Sequence, residues 1–167
     1  MTRVKRVLAL AFLLALFSNA GSASPSFDNL DTGAFETLEE YQGDGKWLVV
    51  MIWASDCEIC KREAGSYQQF HERHKANDAR IVGITLDGST RRDEARAFVA
   101  QHGLGFANLI GEPEVVMAYY QIVTGSPWIG TPSFLVFGPG GELMAKQEGA
   151  VPVGLIEDFI AANTQIQ

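Results

Sequence analysis

The sequence is poor in several features that characterise particular classes of protein. Its 167 residues carry a formal net charge of -7, and no compact basic cluster lies beyond the N-terminus. Broad electrostatic attraction to nucleic acid or to anionic lipid is therefore not expected. Neither an internal repeat nor a low-complexity segment is present. With 47% hydrophobic and 20% charged residues, the chain has the composition of one globular domain with a substantial core.

A hydrophobic run long enough to cross a membrane is also lacking. The most apolar stretch, Val7 to Phe17, is well short of the roughly 20 residues that a transmembrane helix needs. It follows the basic segment RVKR and precedes the small residues SNAGSAS, an arrangement typical of a secretory signal peptide. We predict a signal peptide over residues 1–23 and a soluble domain over 24–167, in the periplasm or another extracytoplasmic compartment. The alternative is an N-terminal segment that stays uncleaved and anchors the protein.

Two buried strands with a helix between them are predicted for the first half of the domain. KWLVVMIWA, from Lys46 to Ala54, and ARIVGITLD, from Ala79 to Asp87, are apolar runs rich in β-branched residues. Such runs are typical of strands that are buried on both faces of a sheet. A helix is expected over residues 57–75. The order strand, helix, strand predicts a parallel βαβ unit.

The second half predicts shorter elements. An amphipathic helix over 90–102, a strand over 106–110 and a helix over 113–121 follow in turn. SFLVF and ELMAKQE are strands separated by GPGG, which is a hairpin signal. The closing helix has an apolar face made of Leu155, Ile156, Phe159 and Ile160. The predicted fold is α/β, with a central mixed sheet flanked by helices.

Cysteine is scarce, with only Cys57 and Cys60 in the chain. The pair directly follows the first predicted strand and opens the predicted helix. The unpaired N–H groups and the dipole of a helix N-terminus stabilise a thiolate, and the two-residue spacing holds the second thiol close enough for a disulfide. Outside the cytosol such a pair becomes oxidised unless another protein reduces it. The context therefore favours a redox-active pair.

Three other uses of the cysteines are weaker. A zinc site with His71 and His74 would need ligands from both ends of one helix, because His71 lies roughly 16 Å beyond Cys60 along the axis. Only a break in the helix, for instance at Gly65, would bring these ligands together, and both histidines are expected to be solvent-exposed. A structural disulfide across so short a loop would constrain the unfolded chain little. Cu(I) binding in a metallochaperone module stays an alternative, because two thiolates are soft ligands that suit this ion.

Glu63 is the unexpected residue of this helix. On a helical wheel it falls on the same side as Ile59 and Phe70, the side expected to pack inward. It also follows Cys60 by three positions, a spacing that places two side chains next to each other. A carboxyl group there can carry a proton to or from a thiol, whereas a purely structural Glu63 would reach a neighbouring Lys or Arg. We favour the proton-relay role.

WASDCEICKRE, residues 53–63, resembles the motif of the TlpA/ResA-like branch of thioredoxin-fold proteins, which are exported thiol-disulfide oxidoreductases. The residues that carry the resemblance are Trp53, Cys57, Cys60, Lys61 and Glu63. The resemblance extends from about Phe27 to Ala161. It implies a thioredoxin fold with an extra helix and strand in the middle, which the segment from Thr90 to Ile110 would supply.

GTPSFLVF, residues 130–137, resembles the cis-proline loop of the same branch and the strand that follows it, with Pro132 in the proline position. The resemblance implies that the backbone of Thr131 pairs with a bound peptide beside the cysteines. We therefore expect Thr131, Pro132 and Trp53 to form the substrate-binding site.

Several positions depart from the pattern of the branch. Asp56 stands where the branch often has Trp, and its charge is expected to oppose a thiolate at the next residue. Ile59 replaces the usual Pro between the cysteines. TGSPWIG, residues 124–130, lengthens the approach to the proline, with Trp128 as a substrate contact or a packed loop residue.

The resemblance implies a protein-disulfide reductase that needs neither metal nor organic cofactor. Cys57 attacks a disulfide of a protein substrate, Cys60 resolves the mixed disulfide, and Glu63 accepts or returns the proton. The expected electron donor is a membrane thiol-transfer protein of the DsbD or CcdA type, and the protein is expected to be a monomer that binds no nucleic acid. Oxidase and isomerase activities stay open, because direction depends on the redox potential and the partner rather than on the motif.

Overall fold

The computed structural model describes residues 24–164, so the predicted signal peptide lies outside the described residues. The strands are β1 (Phe27–Asn29), β2 (Phe35–Glu36), β3 (Trp47–Trp53), β4 (Ala79–Thr85), β5 (Asn108–Ile110), β6 (Ser133–Phe137) and β7 (Leu143–Glu148). The helices are α1 (Glu58–His74), α2 (Arg92–His102), α3 (Pro113–Thr124) and α4 (Val153–Thr164). Within this range no helix is long and apolar enough to cross a membrane.

The strands form one mixed sheet in the order β2-β1-β5-β4-β3-β6-β7. β3 runs parallel to β4, and β4 runs parallel to β5. β6 is antiparallel to β3, and β1, β2 and β7 also join antiparallel. The predicted parallel first half and the antiparallel hairpin of the second half are therefore confirmed. The two edges are β2, which has only 2 residues, and β7, which meets β6 with a register irregularity at Val136 and Phe137.

β3 is buried along its whole length, as its unbroken apolar sequence predicts. Side chains alternate between the two faces of a strand, so β3 contributes to two hydrophobic cores. One face packs against α1, α2 and α4 through Trp47, Val49, Met51 and Trp53. The opposite face packs against α3 through Leu48, Val50 and Ile52. The end of β3, where the cysteines follow, is therefore held firmly from both sides.

The helix and strand expected in the middle of the fold are α2 and β5. β5 extends the sheet beyond β4, and Ala95 and Phe98 of α2 pack in the same core as α1. The predicted α/β fold with this insertion is confirmed.

The hairpin formed by β1 and β2 was not expected from the sequence. β1 pairs antiparallel with β5, so that Asp28 and Asn29 lie opposite Ile110 and Leu109. Strands of 3 and 2 residues are too short to show an alternating pattern that could be recognised.

Candidate active site

The cysteine pair lies at the carboxyl end of β3, in the middle of the sheet. On one side Leu86, just after β4, donates its N–H to the Trp53 carbonyl at 3.0 Å. On the other side Ile52 pairs with Ser133 of β6, so the residues that precede Ser133 lie alongside the end of β3. Three segments therefore meet here: the cysteine turn, the residues after β4, and the loop that contains Pro132.

Cys57 and Cys60 form a disulfide across the first turn of α1. Cys57 is the N-cap residue, and its sulfur accepts a hydrogen bond from the Cys60 N–H at 3.1 Å. After reduction, this N–H and the helix dipole stabilise negative charge on the Cys57 sulfur. Cys57 is partly exposed, whereas Cys60 is fully buried, with 0% of its surface exposed. A partner molecule can therefore reach the first sulfur and not the second.

Glu63 lies one turn after Cys60 and is half-buried. The fully buried face beside it carries Cys60, Ala64, Tyr67 and Phe70. The nearby Lys61 pairs instead with Glu58, with 2.6 Å between Nζ and Oε1. Among residues 24–164 no ion pair involves Glu63. A structural ion pair is therefore not the reason for a carboxylate at this position.

Tyr67, one turn beyond Glu63, ties α1 to the loop before α4. Its hydroxyl donates to the Val151 carbonyl at 2.9 Å, and its ring packs against Phe134 with centroids 4.9 Å apart. Burial raises the pKa of Tyr67 to about 12, and the negative charge of Glu63 adds to the rise. The hydroxyl therefore stays protonated in the neutral range and acts as a fixed support for this side of the site.

The Thr131–Pro132 peptide bond is cis. Pro132 is buried and Thr131 is half-exposed. The Ser133 hydroxyl donates to the Gly130 carbonyl at 2.5 Å, which closes the loop ahead of β6. Thr131 is thus the accessible residue of this loop beside the end of β3.

The preceding loop, residues 124–130, places its two large side chains differently. Trp128 is half-buried and packs against the core on the α3 side of the sheet. Ile129 is 72% exposed. The packed role predicted as one option for Trp128 matches this arrangement. Ile129, to which the sequence did not point, is the exposed apolar side chain near Thr131.

Trp53 does not face the site. It is fully buried, with 0% exposed surface, and stacks on Phe98 of α2 with ring centroids 4.4 Å apart. The prediction that Trp53 contacts substrate is therefore wrong. Its large ring instead fills the core between α2 and the end of β3, which supports the cysteine turn from within.

A buried carboxylate holds the turn between β3 and α1. Asp87, which follows β4, accepts hydrogen bonds from the N–H and from the hydroxyl of Ser55, each at 2.9 Å. It also accepts from the Thr85 hydroxyl at 2.6 Å. Because hydrogen bonds to a buried carboxylate are strong, Asp87 fixes the backbone two residues before Cys57.

Arg91 completes this cluster from the solvent side. Its guanidinium donates to Asp56 at 2.8 Å and to the Ser55 hydroxyl at 3.0 Å, and lies 3.6 Å from Asp87. The hydrogen bond from Arg91 holds the pKa of Asp56 below its ordinary value. Asp56 is therefore charged, as expected, but the predicted repulsion of a thiolate is offset by a cation.

The zinc alternative fails because α1 continues through Gly65 without a break. His71 is buried, contrary to the prediction, and its Nδ1 accepts the Ile81 N–H at 3.1 Å. His74 is half-buried and stacks on Phe70. In the part of the chain that the structure describes, no group of three or more His, Cys, Asp or Glu side chains could hold a metal ion.

The functional candidates that the sequence did not indicate are Ser55, Asp87 and Arg91. A signal for Asp87 does exist, because parallel strands end at the same edge of a sheet and polar residues after one strand lie near those after its neighbour. Asp87 follows β4 as Ser55 follows β3. Arg91 follows only after a further turn, so its contact with Asp56 has no comparable pattern.

Comparison with known proteins places the chain in a family. The model of the AhpC/TSA family matches residues 20–146. The chain belongs to this family. Among curated members related to this AhpC/TSA protein, the thiol-disulfide oxidoreductase ResA of Bacillus subtilis (strain 168) is 23% identical, over 84% of this chain and 73% of ResA. ResA of Oceanobacillus iheyensis is 24% identical, over 92% of this chain and 82% of that protein.

A solved structure resembles this AhpC/TSA protein over most of its length. It is a secreted disulfide oxidoreductase of Mycobacterium tuberculosis, described as homologous to DsbE of E. coli, with 25% identity and a TM-score of 0.66. The similarity covers 83% of this chain and 96% of the other. The resemblance to the TlpA/ResA-like branch that the motif indicated is thereby confirmed.

Proposed function

We propose that this AhpC/TSA protein is a thiol-disulfide oxidoreductase that reduces disulfides in protein substrates. The observation that carries the proposal is the unequal access of two bonded sulfurs, an accessible one at a helix N-cap and a buried one next to it. The ResA relatives and the M. tuberculosis protein are named for the same class of reaction.

The proposed reaction starts from the reduced protein, in which Cys57 and Cys60 are both thiols. The Cys57 thiolate attacks one sulfur of the substrate disulfide, which breaks that S–S bond and releases the other substrate sulfur as a thiolate that takes up a proton. Cys60 then attacks the Cys57 sulfur of the mixed disulfide, and the remaining substrate sulfur leaves. Two electrons have passed to the substrate, and the Cys57–Cys60 disulfide has formed.

Glu63 is proposed as the proton relay for Cys60. The attack by Cys60 needs its thiolate, and a buried thiol has few groups that can take its proton. Glu63 lies one turn away on α1, is half-buried, and makes no ion pair within the described residues. It can therefore accept the proton and return it to solvent.

The substrate is proposed to bind as an extended segment along the loop before β6. Thr131 is half-exposed beside the end of β3, and its backbone would pair with the segment that carries the disulfide. Pro132 is buried and shapes this loop. Ile129, 72% exposed, would contact an apolar side chain of the same segment.

We place the reaction outside the cytoplasm. The apolar segment Val7 to Phe17 has the features of a signal peptide, and the M. tuberculosis relative is a secreted protein. A reductase in an oxidising compartment must be re-reduced, and we propose a membrane thiol-transfer protein of the DsbD or CcdA type as its electron donor. The protein is proposed to act as a monomer.

Insulin reduction by the domain 24–167 tests the activity. With a chemical thiol as electron source, the protein is expected to speed the precipitation of insulin, and the variant in which both cysteines are replaced by serine is the control. No acceleration over that control would contradict the proposal. The same preparation tests the copper alternative, because tight Cu(I) uptake without insulin reduction would favour a metal-binding module.

The direction of the reaction needs a separate measurement. The protein is equilibrated with glutathione buffers, and the ratio of dithiol to disulfide is read at each buffer composition. A redox midpoint potential of the Cys57–Cys60 pair below that of glutathione is expected of a reductase. A midpoint potential well above that of glutathione would show that the protein works as an oxidase or isomerase.

A further inference from the structure

The cluster around Arg91 lies next to the attacking sulfur but is used by no step of the proposed reaction. Arg91 ends a short 3-10 turn, Ser89–Arg91, that follows β4. Its side chain extends past the carboxyl ends of β4 and β3 to Asp56, the residue directly before Cys57. Its side chain is 40% exposed, and that of Asp56 is 67% exposed. An ion pair so open to solvent contributes little to stability. Its location directly before Cys57 therefore points to an effect on the sulfur rather than on the stability of the fold.

Considered alone, the negative charge of Asp56 opposes the formation of a thiolate at Cys57, the attacking sulfur. A carboxylate adjacent to a thiol disfavours the thiolate by like-charge repulsion. The hydrogen bond from Arg91 holds the pKa of Asp56 below its ordinary value, so this carboxylate is charged in the neutral range. The same guanidinium supplies a compensating positive charge at 2.8 Å from the carboxylate.

Arg91 is itself held in place by buried groups. It donates to the Ser55 hydroxyl, which in turn donates to Asp87, and it lies 3.6 Å from the Asp87 carboxylate. The side chain of Asp87 is 0% exposed and accepts from three donors of the strand ends. The Arg91 guanidinium is therefore held in a fixed position at the end of the sheet by its contacts with Ser55 and Asp87.

We propose that Arg91 is a positioning residue for thiol exchange, which neutralises Asp56 and locks the Ser55–Asp56 turn so that Cys57 presents a reactive thiolate. The proposal rests on Cys57 being the attacking sulfur, as in the proposed function. Arg91 acts through its neighbours and takes no part in the bond changes.

Other charged groups near Cys57 do not replace Arg91. On α1, Lys61 lines the same cleft and adds a smaller lowering of the pKa of Asp56 to that of Arg91, but its ammonium pairs with Glu58 at 2.6 Å, and Glu63 lies on the following turn. On α2, Glu94 lines the same open cleft of about 310 Å³ as Arg91 and Asp56. The loop side, Thr131 and Pro132, carries no ionisable side chain. Removal of Arg91 therefore leaves Asp56 without its nearest cation.

The test is the pH profile of Cys57 alkylation in the reduced protein. With Arg91→Gln we expect the profile to move to higher pH, and alkylation near pH 7 to slow about threefold, the effect of one uncompensated charge at close range in water. Adding Asp56→Asn in the same chain is expected to return the profile to that of the wild type. Arg91→Lys, which keeps the charge, is expected to stay close to the wild type.

These variants separate an electrostatic role from a structural one. If Arg91 mattered only for packing, Arg91→Gln and the Asp56→Asn/Arg91→Gln double variant would have the same profile, and that result would overturn the proposal. An unchanged profile in Arg91→Gln would overturn it as well. Arg73→Gln is the matched control, because Arg73 also pairs with a carboxylate, Glu157, but lies roughly 24 Å along α1 from Cys57.

The readout does not depend on the natural reaction. Alkylation needs no protein substrate, so it can be measured whether or not insulin is reduced. Failure of insulin reduction would contradict the proposed function and leave the alkylation profiles to decide the role of Arg91. Unfolding midpoints of each variant, measured alongside, show that the fold is retained.

Discussion

At the scale of single residues, the two sulfurs differ in access, and this difference can be tested by trapping. Because Cys57 is partly exposed and Cys60 is buried, we expect Cys60→Ser to accumulate mixed disulfides through Cys57. Cys57→Ser is expected to accumulate none, since no partner can reach the Cys60 sulfur. The measurement is non-reducing electrophoresis after incubation with a disulfide substrate. Equal trapping by both variants would reverse the assignment of attacker and resolver.

The carboxyl group of Glu63 gives a second prediction at this scale. We expect Glu63→Gln to keep its fold and to slow disulfide exchange by about 100-fold, because an amide cannot relay the proton of Cys60. Stopped-flow kinetics across a range of pH would measure the loss. Glu72→Gln is the matched control, since Glu72 is an exposed carboxylate of the same helix that lies roughly 22 Å along the axis from Cys57. A pH-rate profile that is the same in Glu63→Gln and the wild type would remove the relay role.

At the scale of elements, the contact between β4 and its neighbours leaves no room for a side chain at Gly83. A Cβ atom there would lie 2.8 Å from Trp53 Nε1 and closer still to the Asn108 side chain. We expect Gly83→Ala to lower the free energy of unfolding by about 1–3 kcal/mol, because both neighbours are buried and cannot move away. Urea denaturation would measure this.

Gly65 provides the control for Gly83. It lies in the middle of α1, and a Cβ atom there would meet nothing within 4 Å. Gly65→Ala is expected to raise the free energy of unfolding by about 0.5–1 kcal/mol, since alanine loses less conformational freedom in a helix. If both substitutions had the same effect, the tight contact around Gly83 would not be the cause.

The sequence predicts the long elements well and the short ones poorly. The unbroken apolar run of β3 and the position of Cys57 at the start of α1 follow from local patterns. The hairpin of β1 and β2 is too short for such a pattern, and its pairing with β5 depends on contacts distant in sequence. For the same reason the sequence gives no sign that Trp53 faces α2, or that His71 accepts a hydrogen bond from β4.

The contacts of the candidate site also divide into those that local spacing predicts and those that join residues distant in sequence. Cys57, Cys60 and Glu63 lie within one helical turn or two of each other, so spacing alone brings them together. The contact between Arg91 and Asp56 joins residues 35 positions apart through the ends of two strands. The Arg91 guanidinium offsets the repulsion that Asp56 alone would exert on a thiolate, and local sequence patterns do not indicate this contact.

At the scale of the whole molecule, stability depends on pH through the packing of α1 on the sheet. Burial lowers the pKa of His71 from its ordinary value of 6.5, and its neutral Nδ1 accepts the N–H of Ile81. The unfolded chain therefore binds a proton more readily than the folded one. Stability is full above this ordinary value and falls as the pH decreases below it.

We accordingly expect the urea midpoint to be lower at about pH 5.5 than at about pH 7.5. His71→Asn, which keeps an acceptor but does not titrate in this range, is expected to show a smaller difference between the two pH values. His102→Asn is the control, because His102 lies at the half-buried end of α2. A pH effect that persists fully in His71→Asn would assign it to other groups.

The two edge strands of the sheet affect how the protein interacts with extended segments of other chains. An exposed edge strand invites another chain to pair with it, which leads to aggregation. Here one edge has only 2 residues, and the other, β7, carries Lys146 and an irregular register. These edges offer an extended substrate segment little to pair with, which favours the binding at the Thr131 loop that we propose and the release of the segment after reaction.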